Sequence, residues 1–241
     1  MLDVTTVMLT FNRLDYTKAC IKSYLKFAPK NQELIIIDNG STDGTREYLK
    51  KITRDDVRVL LSPKNLYPAG GYKKGLKMAK PSKAYLICDN DGFFDTCDWY
   101  SIGMTLFAVL PNVGIIGMRR KFGKNYEPTG FLDHSGIKYK YSHSIGSFTM
   151  LDNRARELII NKLKGKWIGI RICETIEKYG NLESILVYPG YITDVSIKDL
   201  DNPKYRDMYL QYWKEKGCLT SFHAKIKRLE EHKKREAEAS Q

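Results

Sequence analysis

The chain has 241 residues, 42% hydrophobic and 28% charged, with a formal net charge of +12. That length suits one large α/β domain, or one domain with a short appendage, and the composition supports a substantial core. No run approaches the ~18 apolar residues that span a bilayer, no basic flank and apolar region mark a secretory signal, and five widely spaced cysteines make neither a disulfide framework nor a zinc site.

A cytoplasmic protein is therefore the expectation. The positive charge favours anionic partners such as nucleotide diphosphates, acidic lipids or nucleic acid. Part of it is local: between Lys64 and Lys83 stand six lysines and no acid. A solvated basic face and a phosphate-facing surface both fit that run.

In chain order, Thr6 to Thr10 is an apolar, β-branched run and predicts a strand. A helix follows over about residues 15–27, with Ile21, Tyr24 and Leu25 as its apolar positions. Leu34-Ile35-Ile36-Ile37 is the short continuous apolar run of a buried parallel strand. Thr45 to Ile52 reads as a helix, Val57 to Leu61 as a strand, Gly70 to Ala79 as a helix and Ala84 to Cys88 as a fourth strand. This alternation predicts a doubly wound, mostly parallel sheet with helices on both faces. Ligands of such sheets bind beyond the carboxyl ends of the strands.

The second half is less regular. Val113 to Met118, Phe148 to Leu151 and Ser184 to Tyr188 read as strands, and Asn153 to Leu163 and Gly169 to Tyr179 as helices. Arg119 to Ser144 is polar, aromatic and glycine-bearing, which predicts a long loop with short strands. From Leu219 the chain becomes a charged, helix-like tail, with Phe222, Ile226 and Leu229 as sparse apolar positions. That tail is a poor membrane helix, although peripheral membrane contact stays open. The reading divides the chain into 1–111, 112–215 and the tail 216–241.

Polar residues at three strand ends carry the candidate chemistry. Asp89-Asn90-Asp91 sets two carboxylates two residues apart just after an apolar strand. Mg²⁺ or Mn²⁺ takes oxygen ligands, often only one or two from protein and the rest from phosphates and water. An ion so placed bridges phosphates and neutralises a departing diphosphate. A lone D-x-D is a weak signal, and a polar turn at Gly92 is the structural alternative. An EF-hand is excluded, because its first ligand position would fall on Ile87. Asp38 begins Asp38-Asn39-Gly40-Ser41-Thr42-Asp43-Gly44-Thr45, which reads either as turns and a helix cap or as a buried acceptor for a nucleobase N–H. Trp99, Trp167, Tyr139 and Tyr141 could stack on a sugar or base, Trp99 as a pocket wall, or serve the core.

Taken together, TFNR at 10–13, IIIDNGSTDGT at 35–45, NLYPAGGYKKGLKMA at 65–79 and DND at 89–91 resemble a family 2 glycosyltransferase with the GT-A fold, in order and in spacing, over roughly residues 4–120. The resemblance implies a nucleotide-sugar-binding half of 1–111, an irregular acceptor-binding half of 112–215 and transfer from a nucleotide-diphosphate sugar, a UDP-sugar favoured, with inversion. It implies that Thr10, Phe11 and Arg13 border the base, that Asp38 binds it, and that Asn65, Gly70, Gly71 and Lys74 lie near base, ribose or phosphates. Asp89 would approach the ribose beside Asn90, and Asp91 would hold the metal.

The second half departs from the family pattern. The helix where a catalytic Glu-Asp pair is expected carries Ile168-Gly169 instead. Asp133 in GFLDHSG, Glu174 and Asp152 are the candidate bases, Asp133 preferred. Asp194 stands where the family supplies a further metal ligand. A saccharide or glycan-lipid is the implied acceptor, and the charge adds a modified base in DNA as another. A nucleotidyltransferase and a non-catalytic nucleotide-sugar-binding domain are the competing readings. The first lacks the expected glycine-rich basic loop after strand one.

Overall fold

The structure is a computed structural model that describes residues 1–120, 132–143, 145–146, 148–166, 168–188 and 192–194. The chain divides into two units, Met1–Asp194 and Val195–Gln241. Every element below belongs to the first. The predicted tail and Trp167 lie outside the described residues.

The amino-terminal half follows the predicted alternation: β1 (Leu2–Thr10), α1 (Leu14–Phe27), β2 (Gln32–Asp38), α2 (Thr45–Leu49), β3 (Val57–Leu61), α3 (Tyr67–Met78) and β4 (Ser82–Asp89). Then come β5 (Gly92–Phe94), α4 (Asp98–Val109), β6 (Val113–Gly117), β7 (Arg119–Arg120), β8 (Leu132–His134), β9 (Ile137–Tyr141) and β10 (Thr149–Leu151). The unit closes with α5 (Asn153–Lys162), α6 (Gly169–Gly180), β11 (Glu183–Tyr188) and β12 (Ile192–Asp194).

The main sheet has the order β3-β2-β1-β4-β10-β6-β11-β9-β8. Strands β3, β2, β1 and β4 are parallel. β10 lies antiparallel between β4 and β6, which restores β6 and its parallel neighbour β11 to the first direction. The hairpin β8–β9 adds an antiparallel edge. The sheet is thus mixed and mostly parallel, flanked by helices, as in the GT-A architecture that the resemblance implied.

Strand side chains alternate between faces, and the core records this residue by residue. Val4, Met8, Leu34, Ile36, Ala84, Leu86 and Cys88 pack with Ile21, Tyr24, Trp99 and Leu106 of α1 and α4. Val7, Leu9, Ile35, Ile37, Tyr85 and Ile87 pack on the other face with Tyr72, Leu76, Ile159 and Ile172 of α3, α5 and α6. Both faces of the parallel strands are covered, which is why β2 reads as an uninterrupted apolar run.

Helix α4 is absent from the sequence reading. Its buried Trp99, Gly103 and Leu106 and its exposed Asp98, Ser101 and Thr105 follow the helical period, but Ile102, Met104, Phe107 and Val109 carry apolar surface well beyond the buried face and blur the stripe. Trp99, expected as a pocket wall, is fully buried instead. Its ring packs 5.7 Å from Phe94, and its Nε1 donates to the Phe27 carbonyl at 3.3 Å. Cys20, Cys88, Cys97 and Cys173 are free thiols, Cys88 buried as expected. Among the described residues no helix is long and apolar enough to cross a membrane.

Close packing of α3 on β1 depends on two glycines. A Cβ on Gly71 would stand 2.4 Å from Leu9 Cδ1, and one on Gly75 would stand 2.2 Å from Val7 Cγ1. Alanine at Gly75 would gain up to ~1 kcal/mol of helix propensity but meets a fully buried valine, and overpacking costs about 1–3 kcal/mol. Gly75→Ala is therefore expected to lower the thermal midpoint, and adding Val7→Ala should recover part of the loss relative to the sum of the single variants. Chemical denaturation of the four proteins checks this coupling.

Candidate functional site

Thr10, Asp38 and Asp89 end β1, β2 and β4, and register holds them together: Thr10 pairs with Asp38, and Leu9 with Asp89. All project from the carboxyl edge of the sheet. The loops beyond them are tied to one another. The Asn12 N–H donates to Ser41 Oγ (2.8 Å), the Thr42 N–H to Asn12 Oδ1 (2.8 Å) and the Leu14 N–H to Asp43 Oδ2 (2.9 Å). The last bond supplies the cap that α1 lacks at its own N-terminus. Asn12 and Arg13 take the left-handed conformation, φ 56° and 63°. L-residues with side chains seldom adopt it, and it clusters at functional sites.

That backbone turn directs Arg13 under the Asp89-Asn90-Asp91 segment. Its Nη1 donates to Asp91 Oδ2 at 2.9 Å and its Nη2 to Asn90 Oδ1 at 2.8 Å. The Asn90 amide in turn donates to the Asn12 carbonyl and to Thr17 Oγ1. Arg13 and Asp91 are 8% and 5% exposed, so this is an ion pair withdrawn from water, where loss of one partner costs about 3–5 kcal/mol. Asp91 Oδ1 is different: it is buried with no hydrogen-bond partner among the described residues. An ionised oxygen in that state lacks a donor or a cation.

Asp194 is brought to this place by the second sheet, of order β5-β12-β7. β12 runs antiparallel to β5 and pairs Asp194 with Gly92, the residue after Asp91. Gly92 is required there, because a Cβ would stand 2.1 Å from Phe148 Cε1. Among the described residues no cluster of three or more metal-ligating side chains occurs. The Asp91 carboxylate has the chemistry that Mg²⁺ or Mn²⁺ takes, ions that draw most of their ligands from phosphate and water.

Asp38 is fully buried. Its Oδ2 accepts from Arg46 Nη1 (2.7 Å) and from the backbone N–H groups of Gly40 and Ser41 (each 3.2 Å). Its Oδ1 accepts one long bond, from Thr10 Oγ1 at 3.4 Å. Oδ1 keeps acceptor capacity that Oδ2 has spent on the loop. Asp89 Oδ1 accepts from the Tyr72 hydroxyl at 2.6 Å. Burial first, and the Asp89 charge next, push the Tyr72 phenol well above its ordinary value of 10. It therefore stays a donor at every physiological pH.

The other expected residues lie as follows. Phe11 is half-buried beside Thr10. Asn65 is exposed and caps the start of α3, its Oδ1 accepting the Tyr67 N–H at 2.7 Å. With Leu66 N–H given to Asn39, Ala69 N–H given to the Lys166 carbonyl, and Pro68 lacking one, the first turn of α3 keeps little for a phosphate. Gly71 serves the contact with Leu9, whereas Gly70 and Lys74 face an outer cleft.

Asp133 lies in the β8–β9 hairpin, where its Oδ1 accepts the Gly136 N–H at 2.9 Å across a turn with Ser135 and Gly136 at positive φ. The hairpin tip is on the carboxyl edge, but β8 stands five strands from β4, roughly 24 Å at ~4.8 Å per strand. Glu174 is exposed on α6. Asp152 caps α5, accepting the Ala155 N–H at 2.7 Å. The sequence reading missed Arg46, Thr17 and Tyr72. Tyr72 stood in the quoted glycine-rich segment, one residue beyond Gly71, and a buried tyrosine needs a hydroxyl partner.

The parallel β3-β2-β1-β4 sheet, with a D-x-D segment at the end of β4 and a small second sheet beside it, defines a glycosyltransferase fold of the GT-A type. The chain matches glycosyl transferase family 2 over residues 5–170, more than half its length, and belongs to that family. An uncharacterized glycosyltransferase of Rickettsia conorii is 35% identical over 92 residues, covering 38% of this chain and 15% of the relative. One of Haemophilus influenzae is 35% identical over 92 residues, 37% of this chain and 36% of the relative. The chain thus spans well under half the length of these curated relatives. Among solved structures, residues 1–349 of Staphylococcus aureus TarS superpose with a TM-score of 0.57 at 16% identity, over 83% of this chain and 62% of that one. GalNAc-T7 with UDP, GalNAc and Mn²⁺ superposes with a TM-score of 0.64 at 12% identity, over 80% and 44%. At such identities these likenesses show the fold.

The Asp43 carboxyl gives a pH prediction. Burial raises its pKa, but bonds from the Thr45 hydroxyl and from the Leu14 and Thr45 N–H groups outweigh this and hold it below the ordinary 3.8. A depressed folded value means that its stabilisation is complete above the unfolded pKa and is lost as pH falls through the folded one. The gap in denaturation midpoint between wild type and Asp43→Asn should be constant above about pH 5 and close below about pH 4. Urea titrations of both proteins across that range check it.

Proposed function

We propose that the protein is a glycosyltransferase that moves a sugar from a nucleotide-diphosphate donor, a UDP-sugar favoured, to a hydroxyl of a saccharide or glycan acceptor with inversion. The observation that carries this reading is Asp91, whose buried Oδ1 has no hydrogen-bond partner among the described residues while its Oδ2 is fixed by Arg13. Family membership and solved neighbours support it: GalNAc-T7 was determined with UDP and Mn²⁺, and TarS with UDP-GlcNAc.

In this proposal Asp38 Oδ1 accepts a ring N–H of the base, with Thr10 and Phe11 bordering it. Asp89, held by Tyr72, receives the ribose hydroxyls, so its orientation is set before the donor arrives. Asp91 and Asp194 hold the divalent ion, Mn²⁺ or Mg²⁺, which when bound supplies neutralisation of the leaving diphosphate. Arg13 fixes Asp91 and adds a positive charge under the same segment. Asn90 serves as the brace between them.

A carboxylate must take the acceptor proton. Asp133 and Glu174 are the candidate bases. With β8 roughly 24 Å from β4, Asp133 stands outside hydrogen-bond reach of a hydroxyl attacking a sugar held at Asp89 to Asp91. That separation supports a second reading, a domain that binds donor without turning it over.

Release of UDP from UDP-sugars with Mn²⁺ and a saccharide acceptor tests the reading. Asp91→Ala should lower turnover by about hundredfold or more, with a far-ultraviolet spectrum like that of wild type. Full activity in Asp91→Ala would overturn the assignment, and donor binding without release by wild type would favour the binding domain.

A further inference from the structure

On an α-helix of about 3.6 residues per turn, the residues of α3 divide into two faces. Gly71, Tyr72, Gly75 and Leu76 are buried toward the sheet and the donor site. Gly70, Lys73, Lys74 and Lys77 point the other way and line a cleft of 530 Å³ closed on its far side by Leu163, Lys164 and Gly165. Four of the seven lining residues are lysines and none is acidic. Lys73 Nζ donates to the Leu163 carbonyl at 3.0 Å, which ties the two walls together. Lys74, Lys77 and Lys164 make no ion pair with a described carboxylate.

Clustered ammonium groups repel one another, and no acid is among the residues that line this cleft. The cost is removed when an anion enters. Because the charges are lysines, compact and freely rotating, the cleft selects charge density and does not impose the planar two-point geometry that arginine favours. Gly70 to Lys77 spans about 10 Å of helix at 1.5 Å per residue, longer than one phosphate group. Gly70 and Gly165 line the cleft without side chains, so a ligand can approach the backbone at these two positions.

We propose that this cleft is an anion site separate from the donor site, and that it takes a ligand carrying two or more linked phosphates. This assignment draws Lys74 and Gly70 away from the donor nucleotide and toward a second molecule. It stands whether or not the donor reading holds, since it uses the opposite face of α3 from Tyr72 and Asp89.

The test uses the full chain and inorganic tripolyphosphate as probe, by calorimetry at low salt without divalent ions. Wild type should bind it, and Lys77→Ala/Lys164→Ala should bind about tenfold or more weakly. Lys50→Ala/Lys51→Ala, a charge-matched control at two exposed lysines elsewhere, should bind as wild type does. No binding by wild type, an equal loss in the Lys50/Lys51 control, or no loss in Lys77→Ala/Lys164→Ala would each overturn the proposal. Sedimentation with phosphatidylcholine vesicles carrying a prenyl diphosphate, against the same vesicles without it, then separates the sources. Co-sedimentation that Lys77→Ala/Lys164→Ala abolishes assigns the phosphates to a lipid headgroup, and tripolyphosphate binding without co-sedimentation assigns them to a soluble ligand.

Discussion

The pair between Arg13 and Asp91 is the interaction on which the site depends. Two opposite charges taken out of water are stable only if their remaining valences are met. Here Arg13 also holds Asn90, and Asn90 holds the Asn12 carbonyl and Thr17. The loop after β1 and the D-x-D segment after β4 are therefore one braced body. The strained φ of Asn12 and Arg13 is maintained because the cross-bonds to Ser41, Thr42 and Asp43 over-determine it. Asp91 Oδ1, in the same network, has no hydrogen-bond partner among the described residues, and the proposed function rests on it.

The sheet supplies the frame for that brace. Parallel register sets Thr10 beside Asp38 and Leu9 beside Asp89, so the ends of β1, β2 and β4 coincide. The glycines at 71 and 75 let α3 lie close enough on β1 for the Tyr72 hydroxyl to reach Asp89. Consequently α3 presents two chemistries: a tyrosine and small residues toward the sheet, and lysines toward the outer cleft. The second sheet then folds Asp194 back beside Gly92.

Much of this was legible in the sequence where a single period governs. β2 and β4 were read to within two residues at each end, because both of their faces are buried and the apolar run is continuous, and the half-buried edge strand β3 was read with its observed bounds. The convergence of Thr10, Asp38 and Asp89 followed from chain order alone. What stayed hidden depended on non-local partners. α4 carries apolar residues well beyond its buried face, which blurs its stripe. The strand over Phe148 to Leu151 was read, but not its antiparallel insertion between β4 and β6. The resemblance set Arg13 beside the base and Lys74 near the donor; what it did not carry is the left-handed backbone that sends the Arg13 guanidinium to Asp91, or the helical phase that turns Lys74 to the outer cleft.

The measurement that bears most directly on the account is calorimetry of the wild-type chain with UDP and with GDP, each with and without Mn²⁺. The account predicts that UDP binds and that Mn²⁺ strengthens its binding markedly. Binding of neither nucleotide, or UDP binding indifferent to Mn²⁺, would contradict the claim that Asp91 and the strand ends around it form a metal-assisted donor site.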